Sequence, residues 1–500
     1  MRGLPLLGSA CHTPLRASVN YSHLASLSTG AGVRIADMRR SAAILAARTA
    51  AGLSRALRRG GGTALPGLIA ERIDPDIVEG LAKRLGQGSV IVTGTNGKTT
   101  TSRLARNIVE AAGLRAVANR EGSNMVRGVA AALAEAATWD GRIPARKKRI
   151  GVFEVDEATV PLVARAVKPR AVLFTNLFRD QLDRYGEVET VAALWRKAAP
   201  EVGAECALVI NADDPAVASL RAAAAGPIVV YGLEDSSQAV GVIEHAADAR
   251  WCSNCGGELE YSTVFYGHLG HWRCPSCANA RPEPTVTCTR VVMTDAETEF
   301  DIRTPSGVVT ARLPLTGVYN VYNALAAAAL GVAIGLEDEA IEKGLGSFTA
   351  AFGRQERFQV DGRDVHVLLA KNPAGLNQVI RVIGANALPL NLAVFLNDDI
   401  ADGRDVSWIW DVDFEQLDGR IGSLTVSGRR AWDLALRLKY AGLADQPEVE
   451  QDAALALRRS IAAAEEGGTV FVIPTYTAML EVRNILGRWA GKGSFWEADR

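Results

Sequence analysis

Apolar and polar positions alternate along this chain in two rhythms, and the switches between them outline its elements. From Met38 to Arg59, Ile44, Leu45, Leu53 and Leu57 recur at helical spacing against Arg39, Arg40, Arg48, Arg55, Arg58 and Arg59. This predicts a basic amphipathic helix, either packed on its own domain with a solvated arginine face or laid on an anionic membrane surface. Gly60-Gly61-Gly62 breaks the pattern, a short helical stretch follows, and Ser89-Val90-Ile91-Val92-Thr93 reads as a strand. Val152-Phe153-Glu154-Val155, Ala171-Val172-Leu173-Phe174 and Ala207-Leu208-Val209-Ile210 are further β-rich runs, each followed by a polar turn. Continuous apolar strands spaced by helical segments predict a parallel sheet covered on both faces. Asn323 to Leu336 is apolar and Ala-rich, too short to cross a membrane, and reads as a buried helix. Fresh β-like runs at Val365–Leu369, Leu392–Leu396, Ser423–Val426 and Thr469–Ile473 predict a second, smaller α/β domain.

At 500 residues the chain is too long for one hydrophobic core, so two or three domains are expected. A net charge of −1 gives no long-range field to gather nucleic acid. The seven cysteines are Cys11, Cys206, Cys252, Cys255, Cys274, Cys277 and Cys288. Two close pairs with an odd remainder suit a reducing compartment better than a disulfide scaffold. The Ser-, Gly- and Ala-rich segment 1–37 ends at Met38 and reads as a non-native or disordered extension, with a weak targeting peptide as the alternative.

The chemistry concentrates after the first strand. Gly94-Thr95-Asn96-Gly97-Lys98-Thr99-Thr100-Thr101 is a glycine turn leading into a helix start. Gly94 and Gly97 let backbone N–H groups turn inward around a phosphate, and the helix N-terminus adds partial positive charge. Lys98 is placed to reach the β/γ-phosphates and to contact phosphate rather than core, and the Thr99 hydroxyl to hold Mg²⁺. The first glycine of the longer phosphate-loop pattern is Val92 here, which makes this the short variant. Further on, Cys252-x-x-Cys255 and Cys274-x-x-Cys277, with Gly256-Gly257 and Pro275 at the turns, fit a closed four-thiolate zinc site of structural role. Redox dithiols are the bland alternative. A nucleic-acid-binding ribbon is the functional one, against which the insert carries little clustered Lys or Arg.

The octapeptide from Gly94 resembles the nucleotide loop of the Mur ligases and folylpolyglutamate synthases, and other segments match the Mur pattern in order. Phe153-Glu154-Val155-Asp156-Glu157 resembles the acidic strand end whose Glu, here Glu154, helps hold Mg²⁺. Asn176-Leu177-Phe178-Arg179-Asp180-Gln181-Leu182-Asp183 is similar to N-x-x-x-D-H-x-D, with Gln181 in place of a Mg²⁺-binding His. Asn211-Ala212-Asp213-Asp214 matches N-x-D-D, and Gly317 to Asn323 resembles G-x-H-N-x-x-N, with Tyr319 replacing the His and Asn320 and Asn323 kept for the adenine end of ATP. Gly353-Arg354 matches the G-R through which the C-terminal domain reaches the nucleotide, and Ala370-Lys371-Asn372-Pro373 resembles A-H-x-P. The family's carbamylated lysine has no clear counterpart; Lys197 lies near its place but reads as a surface helix lysine.

The expected fold is therefore α/β: a Mur-ligase-type P-loop ATPase domain with its lead-in helix (38–350), a zinc-ribbon insertion (250–281) and a smaller C-terminal α/β domain (351–500). Only about fifty residues precede the phosphate loop after Met38, too few for a separate nucleotide-sugar domain. With the ribbon and the segment Leu396 to Glu415, this makes the chain similar to the MurT branch of the family. That resemblance implies ATP, Mg²⁺ and structural Zn²⁺, and a ligase that phosphorylates a carboxylate and lets an amine displace the phosphate. It further implies amidation of the D-glutamate α-carboxyl of lipid II to D-isoglutamine, in a heterodimer with a GatD-type glutaminase, in the cytoplasm at the inner face of the plasma membrane. Cys11, Cys206 and Cys288 sit on no glycine-flanked elbow, so the chain has an ammonia consumer and no convincing ammonia source. Asp405, the last acid of Asp402-Gly403-Arg404-Asp405, matches the family aspartate that orients the partner's catalytic histidine. The alternatives are a folylpolyglutamate-synthase-like glutamate ligase and a zinc-ribbon P-loop ATPase acting on nucleic acid.

Overall fold

The computed structural model describes residues 21–56, 64–120, 122–180, 188–241, 243–245, 247–294, 296–349, 354–386, 388–443 and 447–491. Two sheets organise the chain. The first contains β1 (Ser89–Thr93), β2 (Arg115–Ala118), β3 (Arg149–Glu154), β4 (Ala171–Phe174), β5 (Ala207–Asn211) and β6 (Ile228–Leu233), then β9 (Val286–Met293), β10 (Thr298–Arg303) and β11 (Val308–Leu313). Its order is β11-β10-β9-β6-β5-β4-β1-β3-β2. The strands from β2 to β9 run parallel, and β1, β4 and β5 are buried along their whole length. The chain crosses from β3 to β4 on the other side of β1, so a crevice opens beyond the C-terminal end of β1, where open α/β sheets receive ligands.

The parallel expectation fails at one edge. β9, β10 and β11 pair antiparallel, and β11 alternates exposed and buried positions. Here one face looks to solvent, as hairpin-linked strands permit and helix-covered parallel strands do not. Between β6 and β9 the chain leaves the sheet to form the two-stranded ribbon β7 (Glu260–Tyr266) and β8 (Leu269–Arg273), then returns to the strand beside the one it left. The Ala-rich helix Val318–Ala333 is buried almost throughout; its small side chains let it lie close against the sheet and the helix Lys98–Ala111.

The second sheet, β12 (Arg354–Val360), β13 (Arg363–Leu368), β14 (Leu390–Phe395), β15 (Ile421–Ser427), β16 (Glu448–Val449) and β17 (Thr469–Pro474), has the order β12-β13-β17-β14-β15-β16. Only β12 is antiparallel to its neighbour. Separate apolar clusters cover its two faces.

The N-terminal helix runs from Tyr21 to Ala56, so the change of texture at Met38 is not an element boundary. Arg40 and Arg48 are structural anchors rather than parts of a solvated face. Arg40 bonds Asp74 at 3.1 Å, and Arg48 donates to the carbonyls of Ala134 and Glu135 at 3.3 and 2.9 Å. Ala43, Ile44 and Ala47 are buried, whereas Leu45 and Leu53 face outward. Small residues let the helix seat closely, and the guanidinium forks then reach the carbonyls at neighbouring helix ends.

Candidate active site between the two sheets

The loop after β1 supplies the floor of a cleft of about 330 Å³ that both sheets wall. Gly94 and Gly97 adopt φ of 130° and 84°, which only glycine takes without strain. A Cβ on Gly97 would sit 1.9 Å from Asn323 Oδ1, so the turn also needs the missing side chain for closeness. Asn323 backs the loop: its Oδ1 accepts from Thr101 Oγ1 at 3.3 Å and its Nδ2 donates to Asn320 Oδ1 at 3.2 Å. Asn320 in turn donates to the Thr316 carbonyl at 2.8 Å. Both asparagines reach the cleft wall while locked by protein partners.

Lys98, the first residue of its helix, is buried, with Nζ 2.6 Å from Gly94 O, 3.3 Å from Thr95 O and 3.0 Å from Glu157 Oε2. Burial alone would push its pKa down, but Glu157, Asp156, Asp180 and Glu154 outweigh that and hold it above the ordinary lysine value. Lys98 is thus the cation at the centre of four carboxylates, a setting the phosphate-loop pattern alone did not disclose. Glu154 ends β3 and accepts from Thr99 Oγ1 at 3.1 Å; its backbone is tied on both sides to Asn119. A hydroxyl and a carboxylate this close, with open cleft beside them, are the oxygen donors a hard divalent cation takes. Thr95, Asn96 and Thr100 line the same cleft. Asn96 is held from three directions: its N–H by Asn176 Oδ1 at 2.9 Å, its carbonyl by Thr175 Oγ1 at 2.9 Å, and its Oδ1 by Asn372 Nδ2 at 2.9 Å. That last bond crosses from the second sheet. So do the Lys371–Asp180 ion pair and the Arg179–Asp411 pair at 2.7 Å. Arg354 opens β12 and precedes Gln355, which bridges Thr316 and Tyr319 and lines the cleft. Gln181, Gly353 and Cys11 lie outside the described residues.

Sequence reasoning missed the central part played by Asp156 and Glu157, the cross-sheet contact of Asn372, and Tyr476 and Met479 on the far wall. Asn372 had a signal in its motif; Tyr476 and Met479 had none. Lys197 is exposed and lines no part of the cleft. Asp405 is also exposed and outside it, accepting from the Ser407 N–H at 2.8 Å, and hydrogen bonding from Ser407 holds its carboxyl below the usual range. Cys206 and Cys288 are buried; burial pushes the Cys206 thiol up to about 12 and raises Cys288 further, so neither is a ready nucleophile.

The four cysteines of the insert meet away from the cleft, their sulfurs all within 4.8 Å of one another. Cys252 and Cys277 are 3.7 Å apart, Cys255 and Cys274 3.4 Å. A disulfide would need about 2 Å, whereas sulfurs about 2.3 Å from a shared tetrahedral ion stand roughly 3.8 Å apart. Burial opposes thiolate at Cys252, but the Asn279 amide and the Asn254 and Cys255 N–H groups hold it down at about 6. The donor set fits a closed thiolate centre. Trp272 Nε1 donates to Ala212 O at 2.9 Å, and Arg281 pairs with buried Asp213 at 2.6 Å, so the ribbon is pinned to the loop after β5.

Two family models match the chain: the Mur ligase middle domain over residues 92–272 and the MurT ligase C-terminal region over residues 369–479. The MurT subunit of lipid II isoglutaminyl synthase from Staphylococcus aureus (strain COL) is 34% identical over 460 residues, spanning 90% of this chain and 98% of that one. The chain belongs to the MurT family. The MurT subunit from Streptococcus pneumoniae is 33% identical over 431 residues, 86% of this chain and 93% of that one. Among solved structures, MurF from Acinetobacter baumannii superposes with a TM-score of 0.61 at 19% identity, covering 82% of this chain and 81% of that one. A pseudomurein peptide ligase type C from Methanothermus fervidus gives 0.61 at 23%, covering 80% and 78%. These structures share the fold, which is the Mur ligase α/β fold. The MurT relatives are named as subunits of a lipid II isoglutaminyl synthase, which favours neither the pterin-ligase nor the nucleic-acid alternative.

Proposed function

We propose that this chain is the ATP-dependent ligase subunit that amidates the D-glutamate α-carboxyl of lipid II to D-isoglutamine, with ammonia from a glutaminase subunit. The observation that carries the reading is the cleft itself, a phosphate loop with a buried lysine facing a second sheet, in a chain similar to MurT over nearly its full length. The triphosphate lies along the 94–100 turn, where the N–H groups and Lys98 neutralise its charge. Thr99 and Glu154, with Gln181, are the residues that would hold Mg²⁺, which supplies further charge neutralisation on the phosphates. Asn320, Asn323 and Arg354 border the nucleotide. The acceptor carboxylate attacks the terminal phosphorus and ADP leaves. Ammonia then displaces phosphate from the acyl phosphate, and the cleft walls exclude water from that intermediate.

Cys252, Cys255, Cys274 and Cys277 would hold a structural Zn²⁺. Segments 38–350 and 351–500 act as the ATPase and C-terminal domains, closing on the substrate. The glutaminase docks on the C-terminal domain near Asp405. An exposed apolar patch nearby supports this: Trp410, with Tyr440 ring to ring at 5.6 Å, continues into Leu436 and Trp432 along one helix face. No helix among the described residues is long and apolar enough to cross a membrane. The enzyme meets its lipid-linked substrate from the cytoplasmic side of the plasma membrane. ATP turnover by the purified chain should rise with lipid II plus ammonium and stay flat with nucleic acid or a pterin; the reverse pattern would overturn the reading.

A further inference from the structure

Among the described residues of the ribbon hairpin, Tyr266, the last of β7, alone lines the nucleotide cleft, although it is only 2% exposed. Its ring is fixed on two sides. Phe178 stacks on it with 5.7 Å between centroids and 21° between planes, and Tyr322 meets it edge-on at 5.6 Å. Phe178 is tied both ways to Thr95 of the phosphate turn: its N–H donates to Thr95 Oγ1 and its carbonyl accepts from the same hydroxyl, each at 3.0 Å. Tyr322 lies in the helix Val318–Ala333 between Asn320 and Asn323, the asparagines of the cleft wall. The turn beyond Tyr266 fits as closely. Gly267 has a φ of 57°, and a Cβ there would stand 2.6 Å from the Phe178 ring. From the second sheet's side, Arg381 donates to the Phe265 carbonyl at 2.6 Å. The tyrosine is therefore seated before any ligand arrives.

The hydroxyl on this seated ring is unused. Among the described residues none donates to it or accepts from it, whereas a buried tyrosine oxygen usually finds a partner. Nor is this oxygen one of the sealed, unpaired atoms among those residues, so it keeps surface, and the space that Tyr266 lines is the cleft. Burial raises its pKa above the ordinary tyrosine value, and Asp214, Glu244 and Asp213 raise it further, so the group stays protonated and able to donate.

We propose that Tyr266 is a nucleotide-specificity residue whose hydroxyl donates to a ring nitrogen of the purine base. The phosphates are served by Lys98 and the turn N–H groups, where a neutral hydroxyl adds little. Tyr266 instead stands against the helix turn that carries Asn320 and Tyr322, at the base end of the cleft. Purine ring nitrogens are uncharged acceptors, and a neutral donor held rigid in advance suits them at little entropic cost. The inserted ribbon thus reaches into the site through one side chain. The inference rests on the nucleotide use of the ligase and not on which carboxyl is amidated.

Tyr266→Phe keeps the ring packing and removes only the oxygen. On the full chain, equilibrium binding is measured for ADP and for a set of ADP analogues, each with one purine ring nitrogen replaced by C–H. The variant should bind ADP about three- to tenfold more weakly. Towards one analogue, which the wild type itself binds more weakly than ADP, the variant should lose nothing further. ADP affinity within twofold of wild type overturns the contact. An equal loss for ADP and every analogue overturns it too, leaving Tyr266 a packing role. In ammonium-driven amidation the KM for ATP should rise with the binding loss, while kcat and the KM for lipid II stay unchanged; a rise in the lipid II KM instead would assign the hydroxyl to the acceptor and overturn the proposal. Analogue-selective loss of binding in a chain that amidates nothing would refute the proposed function while the Tyr266 contact stands.

Discussion

Replacing Lys98 with alanine removes a buried cation that Glu154, Asp156, Glu157 and Asp180 all act on. At 3.0 Å the Lys98–Glu157 attraction is worth roughly 5 kcal/mol gross at an effective dielectric of about 20. Both side chains are about nine-tenths buried, and breaking such a pair leaves an uncompensated carboxylate, so a net loss of about 2–3 kcal/mol in stability is expected. Lys98 is therefore more than a phosphate contact: without nucleotide or metal it also holds the acidic cleft together. Its loss should further cost about 3–4 kcal/mol of transition-state stabilisation, a several-hundredfold fall in turnover. The assay is ADP release with lipid II and ammonium, alongside urea unfolding in chelator so that Mg²⁺ cannot replace the missing charge. The double variant Lys98→Ala/Glu157→Gln separates the two effects: it should recover much of the stability and none of the activity. Turnover of Lys98→Ala within tenfold of wild type would refute the phosphate role. Unchanged stability, or no recovery in the double variant, would refute the electrostatic argument.

Other perturbations read different parts of the molecule. Asp405→Asn, in the assembled complex, should depress glutamine-dependent amidation by about a hundredfold or more while sparing the ammonium-driven reaction; equal loss of both would place Asp405 in folding or the ligase site. The chain purified without chelator should carry one zinc by elemental analysis, and its removal should change Trp272 fluorescence before the main unfolding transition, because the ribbon is a satellite of the sheet; a metal-free but unperturbed protein would contradict this. Arg281→Met strands fully buried Asp213, which also binds the Leu233 N–H and Tyr322 OH, and should cost about 3–5 kcal/mol by denaturant midpoint. Gly97→Ala should abolish nucleotide binding, since its Cβ would meet Asn323 in a backbone conformation alanine avoids; normal ATP affinity in equilibrium dialysis would refute the fit.

What the sequence made legible was local. The phosphate turn, the acid ending β3 and the paired cysteines are short contiguous patterns whose geometry follows from spacing, and the structure brings each together as a unit. β1, β3, β4 and β5 of the first sheet and β13, β14, β15 and β17 of the second were readable because their apolar runs are continuous and interrupted by helical segments. What stayed hidden depends on contacts between distant segments. Nothing local in Asn323 says that it props up Gly97, or in Lys371 that it pairs with Asp180 across the cleft. The antiparallel edge escaped because β11 alternates in a pattern too short to separate from an exposed loop. The N-terminal helix was read with its arginines outward, whereas Arg40 and Arg48 bond into the neighbouring helices, a choice that depends on which carbonyls lie within reach.

The central claim is that ATP energy is spent on forming an amide at one particular carboxyl. Purified chain, ATP, Mg²⁺, lipid II and isotopically labelled ammonium should yield lipid II carrying one labelled amide, localised by fragmentation to the α-carboxyl of D-glutamate, with ADP and phosphate released in equal amounts. Unmodified lipid II despite ATP turnover, or label at any other carboxyl, would contradict the account.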